Sequence, residues 1–348
     1  MRELILGIET SCDETAAAVV EAGTQVLSNV VHSQTALHER WRGVVPEVAS
    51  RSHTERILPI LQQALADAAV TPEDLTAIAV THRPGMIGCL LVGLAAAKAL
   101  AWRFGKPLLG VDHVQAHVHT GFLAEPDLPL PALALVASGG HTALYLIHER
   151  GRTERLGTTR DDAAGEALDK GAALLGLPYP GGPAIQRAAA TGNAKRYDLP
   201  RTLLGPDSLD FSFSGLKTAL LYTLRPQGAP PRAAPPEGQE LADLAASYQE
   251  ALVDVLVQKL ARAARATSAR SLCLGGGVAR NTRLRERLAA EPSLTRLHLV
   301  LPAPDLCSDN GAMIASLGSH LLRTGQVATL ELDAVATPAA GGKAVVRR

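Results

Sequence analysis

The chain has 348 residues, 47% of them hydrophobic, more than one ordinary core accommodates, which points to two lobes and a cleft. Lys plus Arg equals Asp plus Glu at 34 each, so no global positive field exists to hold a polyanion, and a nucleic-acid partner must be gripped locally or with help. Aromatic residues make up only 3%, which argues against stacking platforms for single-stranded nucleic acid. Cys12, Cys89, Cys273 and Cys307 are widely spaced and form no CxxC pair, which suits a reducing compartment. The N-terminal apolar stretch is too short for a signal sequence and no long uninterrupted apolar run follows, so the expected location is the cytosol, with no membrane span.

In chain order, the apolar run 4–8 ends in Glu9-Thr10-Ser11-Cys12-Asp13-Glu14, and with the run 15–20 it predicts a β-hairpin tipped by acids and hydroxyls. Asp13 is placed to orient a metal, a water or an amine, or is simply part of a polar tip. Residues 52–69 have helical spacing, with Ser52 as cap and a stop before Thr71-Pro72. Residues 77–80 read as a buried strand, 88–104 as an apolar helix, and 108–111 as a strand leading into Asp112-His113-Val114-Gln115-Ala116-His117. If that last segment is helical, His113 and His117 share a face and offer two imidazoles to one metal. Among 11 histidines this spacing is weak evidence alone. His119 falls off that face, either toward solvent or into the core.

The pattern then restarts. Residues 133–137 form an apolar strand, Ser138-Gly139-Gly140-His141-Thr142 a tight turn, and 143–147 another strand, which repeats the first hairpin and implies an internal duplication. Helices over 163–175, 182–190 and 240–266 follow, then a strand at 272–274 that runs into Gly275-Gly276-Gly277 and a helix from about Asn281. Residues 225–238 read as a surface loop, and the tail from Val335 as a linker. The turns Ser138-Gly139-Gly140, Gly181-Gly182-Pro183 and Gly275-Gly276-Gly277 let backbone amides approach a phosphate or adenosine, although none matches a P-loop or GxGxxG. Asp161, Asp162, Glu166, Asp169 and Lys170 beside them offer a ribose-binding carboxylate or are solvated helix faces. Finally, Cys307-Ser308-Asp309-Asn310-Gly311-Ala312 is an acidic turn that opens an apolar helix. A carboxylate there completes a two-histidine, one-carboxylate set, while the competing reading makes Ser308 or Asp309 a helix cap.

Several of these segments, taken in order, closely resemble the universal family of tRNA threonylcarbamoyladenosine transferases, once described as sialoglycoprotein endopeptidases. They are GIETSCDET (7–15), RGVVPEVASRSH (42–53), HVQAH (113–117), SGGHT (138–142), DDAAGEALDK (161–170), YPGGP (179–183), FSFSGLKT (211–218), GGGVARN (275–281) and CSDNGAMIA (307–315). The resemblance spans nearly the whole chain and implies a duplicated, two-lobed α/β fold of the type shared by actin, heat-shock chaperone ATPases and sugar kinases. On that fold, residues 1–131 with about 303–330 form an N-terminal lobe carrying the metal-ligand helix, 132–302 a C-terminal lobe carrying the glycine turns, and 335–348 a flexible tail.

The resemblance also implies one divalent metal, usually iron with zinc or magnesium as alternatives, on His113, His117 and Asp309. It places the adenylate on Val136, Ala137, Ser138, Gly139, Gly140, Asp169, Gly182 and Asn281, and matches Asp13 to an acidic active-site position. The implied reaction moves a threonylcarbamoyl group from threonylcarbamoyl-AMP to the N6 amine of the adenosine beside the anticodon, in tRNAs reading codons that begin with adenine, and releases AMP. The implied partners are the tRNA anticodon loop, a TsaB-like paralogue and a TsaE-like ATPase. Two departures from the family pattern stand out. Arg42 occupies a position where relatives often show Gly, and Thr81-His82-Arg83-Pro84-Gly85 replaces a TxGPG-type turn, so that its added charge either touches RNA or a partner or is a tolerated surface change.

Three rival functions are weaker. A metalloprotease needs HExxH, and Val114 follows His113. A small-molecule kinase of the same fold needs no metal on two histidines, and a non-enzymatic scaffold would not need all three ligands and every glycine turn.

Overall fold

The computed structural model describes residues 2–225 and 234–336. In chain order it contains β1 (Leu4–Glu9), β2 (Glu14–Glu21), β3 (Gln25–Ser33), α1 (Thr35–His38), α2 (Pro46–Asp67), β4 (Ala77–Arg83), α3 (Ile87–Phe104), β5 (Leu108–Asp112), α4 (His113–His119) and α5 (Gly121–Ala124). After these come β6 (Ala132–Ala137), β7 (Thr142–Glu149), β8 (Arg152–Thr158), α6 (Ala164–Leu174), α7 (Gly181–Ala188), α8 (Ser214–Leu224), α9 (Gly238–Ala266), β9 (Ser271–Gly275), α10 (Thr282–Ala290), β10 (His298–Val300), α11 (Pro304–Cys307) and α12 (Gly311–Arg323).

The described strands form two sheets of the same design. One has the order β3-β2-β1-β4-β5 and the other, read from its far edge, β8-β7-β6-β9-β10. In each, the first three strands are an antiparallel meander and the last two lie parallel to the first. The duplication expected from the repeated hairpin is therefore present strand for strand.

Alternation along β1 decides its packing, because successive side chains face opposite sides of a sheet. Leu4, Leu6 and Ile8 join Ile57, Leu61, Leu94 and Ala97 of α2 and α3 in one core. The opposite face, with Gly7, lies against α12, where a side chain at Gly7 would strike the backbone at Gly311 and Ala315. In the second sheet, Leu133 and Leu135 of β6 join Tyr248, Leu252 and Leu256 of α9. Helix α3 is long and apolar enough by composition to cross a membrane, but Cys89, Leu90, Leu94, Ala97 and Ala101 are buried within its unit.

The chain divides into unit 1 (Met1–Ala36, Val44–His119, Asp309–Arg348) and unit 2 (Leu37–Gly43, Thr120–Ser308). These boundaries differ from the expected ones, for reasons visible in the packing. Gly121 of α5 lies against Cys273 of β9, which draws 120–131 into unit 2. Cys307 belongs to the same core as β6 and accepts from Arg285 Nη2 at 3.3 Å, so α11 goes with unit 2 as well. At the other end, the Val335 amide donates to the His82 carbonyl at 2.8 Å, which ties the start of the expected tail to β4. Residues 337–348 of that tail, and 226–233 of the expected loop, lie outside the described residues.

Helix α2 starts at Pro46 and not near Ser52, because proline's fixed φ suits the first helical position and its missing N–H costs nothing there. The strands β3 and β8 escape sequence reading because they are edge strands whose exposed, polar faces hide the apolar alternation.

Replacing Gly7 by Ala should force β1 away from α12. An overpacking cost of about 1–3 kcal/mol is expected, read as a lower melting temperature; an unchanged melting temperature would show that this contact is not tight.

Candidate functional site

Strand β5 ends at Asp112 and the chain turns at once into α4, so that His113 is its first helical residue. Asp112 Oδ1 accepts the Gln115 amide at 3.0 Å and satisfies one of the N–H groups left open at a helix start. The four-residue spacing sets His113 and His117 on one face, their rings edge-on with centroids 4.7 Å apart, and both are buried. His119 is buried too, near His320.

Asp309 comes from the distant end of the unit 1 sequence. The cap of α12 is Asn310, whose side chain accepts the Met313 amide at 3.0 Å. The capping role therefore falls to neither Ser308 nor Asp309, and the Asp309 carboxylate faces the imidazoles. Its Oδ1 lies 3.0 Å from His117 Nε2 and 3.7 Å from His113 Nε2, and the three donor atoms are within 4.8 Å of one another. Ligands at about 2 Å from a shared ion are spaced in this way, and three protein donors leave positions open for substrate. The donor set fits a divalent transition metal.

Glu9, at the end of β1, lies behind His113 and is completely buried. Its Oε1 accepts the Ser11 amide at 2.5 Å and its Oε2 the Thr81 hydroxyl at 2.6 Å, while Oε2 is also 3.0 Å from His113 Nδ1. Burial works against charge on both partners. The facing charges outweigh it: Asp309 and Glu9 raise His113 to about 9, and His113 holds Glu9 below the usual carboxylate range.

Farther along the hairpin tip, burial and the charges of Asp13 and Asp309 push the Glu14 carboxyl well up, and Asp13 also hydrogen-bonds it. Burial and the acids Asp13, Asp309 and Glu14 likewise raise the Cys12 thiol well above its ordinary value, so Cys12 is no ready thiolate. All four cysteines are free. Sequence reading singled out Asp13 here and passed over Glu9, Ser11, Glu14 and Thr81. The β1–β4 pairing, Ile8 opposite Val80, is what sets Thr81 beside Glu9.

In unit 2 Gly181 lies against Leu168 and Asp169 of α6, while the turns Ser138-Gly139-Gly140 and Gly275-Gly276-Gly277 meet where β6 and β9, parallel neighbours with Val136 opposite Gly275, both end. That is the side on which open α/β sheets bind ligands. The glycines serve two purposes. Gly165, Gly181 and Gly276 are pressed against backbone, Gly276 with φ 84° over the Ala137 carbonyl, and have structural work. Gly139, Gly140 and Gly277 have nothing within 4 Å of where a side chain would start, and Gly182 has only a Leu168 methyl at 3.6 Å. These leave backbone open to a ligand. Val136 and Ala137 are buried in β6, and Ser138 donates its amide to the His141 carbonyl at 2.7 Å, closing the turn. Asp169 Oδ1 accepts the Gly181 amide at 2.6 Å. Asn281 caps α10 through the Leu284 amide at 2.9 Å and donates to Gln249 at 3.0 Å. Asp161, with four hydrogen bonds to residues 212–214, and Asp162, paired with Lys170 at 2.7 Å, are engaged within the unit.

The His82-Arg83 departure has local partners. Arg83 Nε lies 3.3 Å from Asp112 Oδ2, and His82 Nδ1 lies 3.1 Å from the Asp333 carbonyl. Both side chains thus brace unit 1 itself, one at the start of α4 and one at the segment returning across β4.

Comparison with known proteins shows the family of the chain. The family described as TsaD: tRNA N6-adenosine threonylcarbamoyltransferase matches residues 25–316. Similar curated proteins, both named tRNA N6-adenosine threonylcarbamoyltransferase, come from Anaeromyxobacter dehalogenans (strain 2CP-C), 53% identical over 331 residues (95% of this chain, 97% of the relative), and from Syntrophobacter fumaroxidans, 52% identical over 313 residues (90% and 92%). Among solved structures, HypF of T. kodakarensis shares the fold at TM-score 0.60 and 17% identity, covering 93% of this chain and 48% of that one. Component A of the (R)-2-hydroxyglutaryl-CoA dehydratase of Acidaminococcus fermentans shares it at 0.53 and 12%, covering 91% and 98%. The duplicated α/β fold class read from the sequence is the one these structures share.

The proton on His113 sets a pH dependence. Its pKa rises from 6.5 to about 9 on folding, so in metal-free protein the stabilisation is complete below about pH 6.5 and is lost as pH rises through about 9. The melting temperature of metal-free wild type should fall across that window, and that of His113→Gln should fall less. Equal slopes in the two proteins would remove His113 from the account.

Proposed function

The chain belongs to the tRNA N6-adenosine threonylcarbamoyltransferase family and has that activity, and we propose which of its residues carry the reaction. His113, His117 and Asp309 would hold the metal, Fe(II) in our reading with Zn(II) or Mg(II) as substitutes. A bound divalent ion supplies Lewis-acid polarisation of the carbamoyl carbonyl as charge grows on its oxygen. Asp13, at the β1–β2 tip, takes the proton that the attacking amine must shed.

The donor is threonylcarbamoyl-AMP. The uncrowded backbone at Gly139, Gly140 and Gly182, with Val136, Ala137 and Ser138, takes its nucleotide, and Asp169 and Asn281 fix the helix starts around it. AMP is the leaving group. The acceptor is the N6 amine of the adenosine beside the anticodon, in tRNAs reading codons that begin with adenine, a loop base that can be splayed out at modest cost. With 34 basic and 34 acidic residues the chain has no net charge with which to grip RNA alone, so we assign part of that grip to a TsaB-like paralogue and a TsaE-like ATPase, in the cytoplasm.

The observation that carries the metal reading is the meeting of His113, His117 and Asp309 within 4.8 Å. Its test is nucleoside mass spectrometry on unmodified tRNA incubated with the three proteins and threonylcarbamoyl-AMP. Wild type should form threonylcarbamoyladenosine, and His113→Ala and Asp309→Asn should form it at least about 100-fold more slowly, the size of losing a few kcal/mol. Full activity in both variants would end the metal role. ATP-dependent phosphorylation of a small molecule without any transfer would favour a kinase.

A further inference from the structure

Glu9 has no place in the ligand set, yet its surroundings dictate what it does. The Ser11 amide points its hydrogen at Oε1 from 2.5 Å and the Thr81 hydroxyl donates to Oε2 from 2.6 Å. Both carboxylate oxygens therefore act as acceptors already, in a site with no solvent access. The remaining contact, 3.0 Å from Oε2 to His113 Nδ1, completes the same pattern when Nδ1 carries the hydrogen. Ser11 Oγ, 3.1 Å from the same nitrogen, can accept a share of that hydrogen but cannot impose its place, since a hydroxyl serves either tautomer. An imidazole with its hydrogen on Nδ1 has its lone pair on Nε2, the nitrogen that faces Asp309 and stands with His117 Nε2. His117 differs, because its Nδ1 has no hydrogen-bond partner among the described residues.

We propose that Glu9 is the positioning residue of the metal centre: held by Thr81 and Ser11, it fixes the tautomer and ring angle of His113 so that Nε2 presents its lone pair to the ion. This rests on the metal reading of His113, His117 and Asp309. Orienting carboxylates behind metal-bound imidazoles typically change metal affinity 10–100-fold. Glutamine at position 9 keeps the shape but replaces one acceptor by a donor. Its amide facing His113 would donate to Nδ1 and drive the hydrogen onto Nε2, where it covers the ligand lone pair.

The test uses the full-length metal-free chain titrated with Zn(II) against a chromophoric chelator, for wild type, His113→Ala, Glu9→Gln and Thr81→Val. The Zn(II)-loaded wild type is also examined by nitrogen-15 NMR for the His113 Nδ1–H proton. Glu9→Gln should bind Zn(II) roughly 10–100-fold more weakly than wild type, with Thr81→Val in between. Wild type should show a His113 Nδ1–H signal, downfield and protected from exchange, that is missing from His113→Ala. Zn(II) binding by Glu9→Gln within about twofold of wild type would overturn the proposal. So would a wild-type His113 without a protected Nδ1–H; this measurement, with Thr81→Val, decides the matter even if Glu9→Gln does not fold. If wild type and His113→Ala bind Zn(II) equally, the metal reading itself fails, an outcome distinct from Glu9→Gln alone matching wild type.

Discussion

The Asp309 carboxylate and the His117 imidazole, separated by 192 residues of sequence, meet at 3.0 Å in unit 1 with the His113 imidazole 3.7 Å away, and much of that unit's construction serves the meeting. Asp309 sits one residue before the cap of α12, so its position is the position of that helix. The helix in turn lies close on β1 because glycine at positions 7 and 311 lets backbone touch backbone. The two imidazoles are placed by β5, which delivers α4 without an intervening loop. A shift of either helix along the sheet would spread the donors beyond the reach of one ion, which needs ligands at about 2 Å.

The strand ends also supply the charges behind the ligands. Glu9 ends β1, Thr81 nears the end of β4 and Asp112 ends β5, and these are neighbouring strands. Buried charge is tolerable only when paired and hydrogen-bonded. Glu9 satisfies that rule with three partners, which is why a carboxylate can sit where no water reaches. Arg83 continues the row at the surface by pairing with Asp112, which itself caps α4. The charge that looked stray in sequence thus reaches the helix bearing His113 and His117. Arg42 is a second departure with a local consequence: its φ of 55° lies in the left-handed region. Glycine would fit that conformation freely, whereas a side chain there costs about 1–2 kcal/mol.

Unit 2 shows how one residue type does two tasks. Glycines that touch backbone let β6, β9, α6 and α7 approach, and Gly139, Gly140 and Gly277, just past the ends of parallel strands, have open space where a side chain would start. Sequence reading finds glycine-rich turns but cannot sort them, since the distinction lies in what stands opposite each Cα.

By itself the sequence determined the duplicated α/β pattern, the shared face of His113 and His117 and the family, because period-two and four-residue spacings and ordered motifs are local properties of the chain. Its local spacing left open whether Asp309 caps a helix, a choice that only the family resemblance made, and it missed β3 and β8, whose exposed faces blur the alternation. Only the tertiary structure assigned the cap to Asn310, turned Asp309 to the imidazoles, moved 120–131 into unit 2 and set Glu9 behind His113. Each of these depends on strands and helices remote in sequence coming into register, and strand pairing and close backbone packing fix that register where no local pattern can.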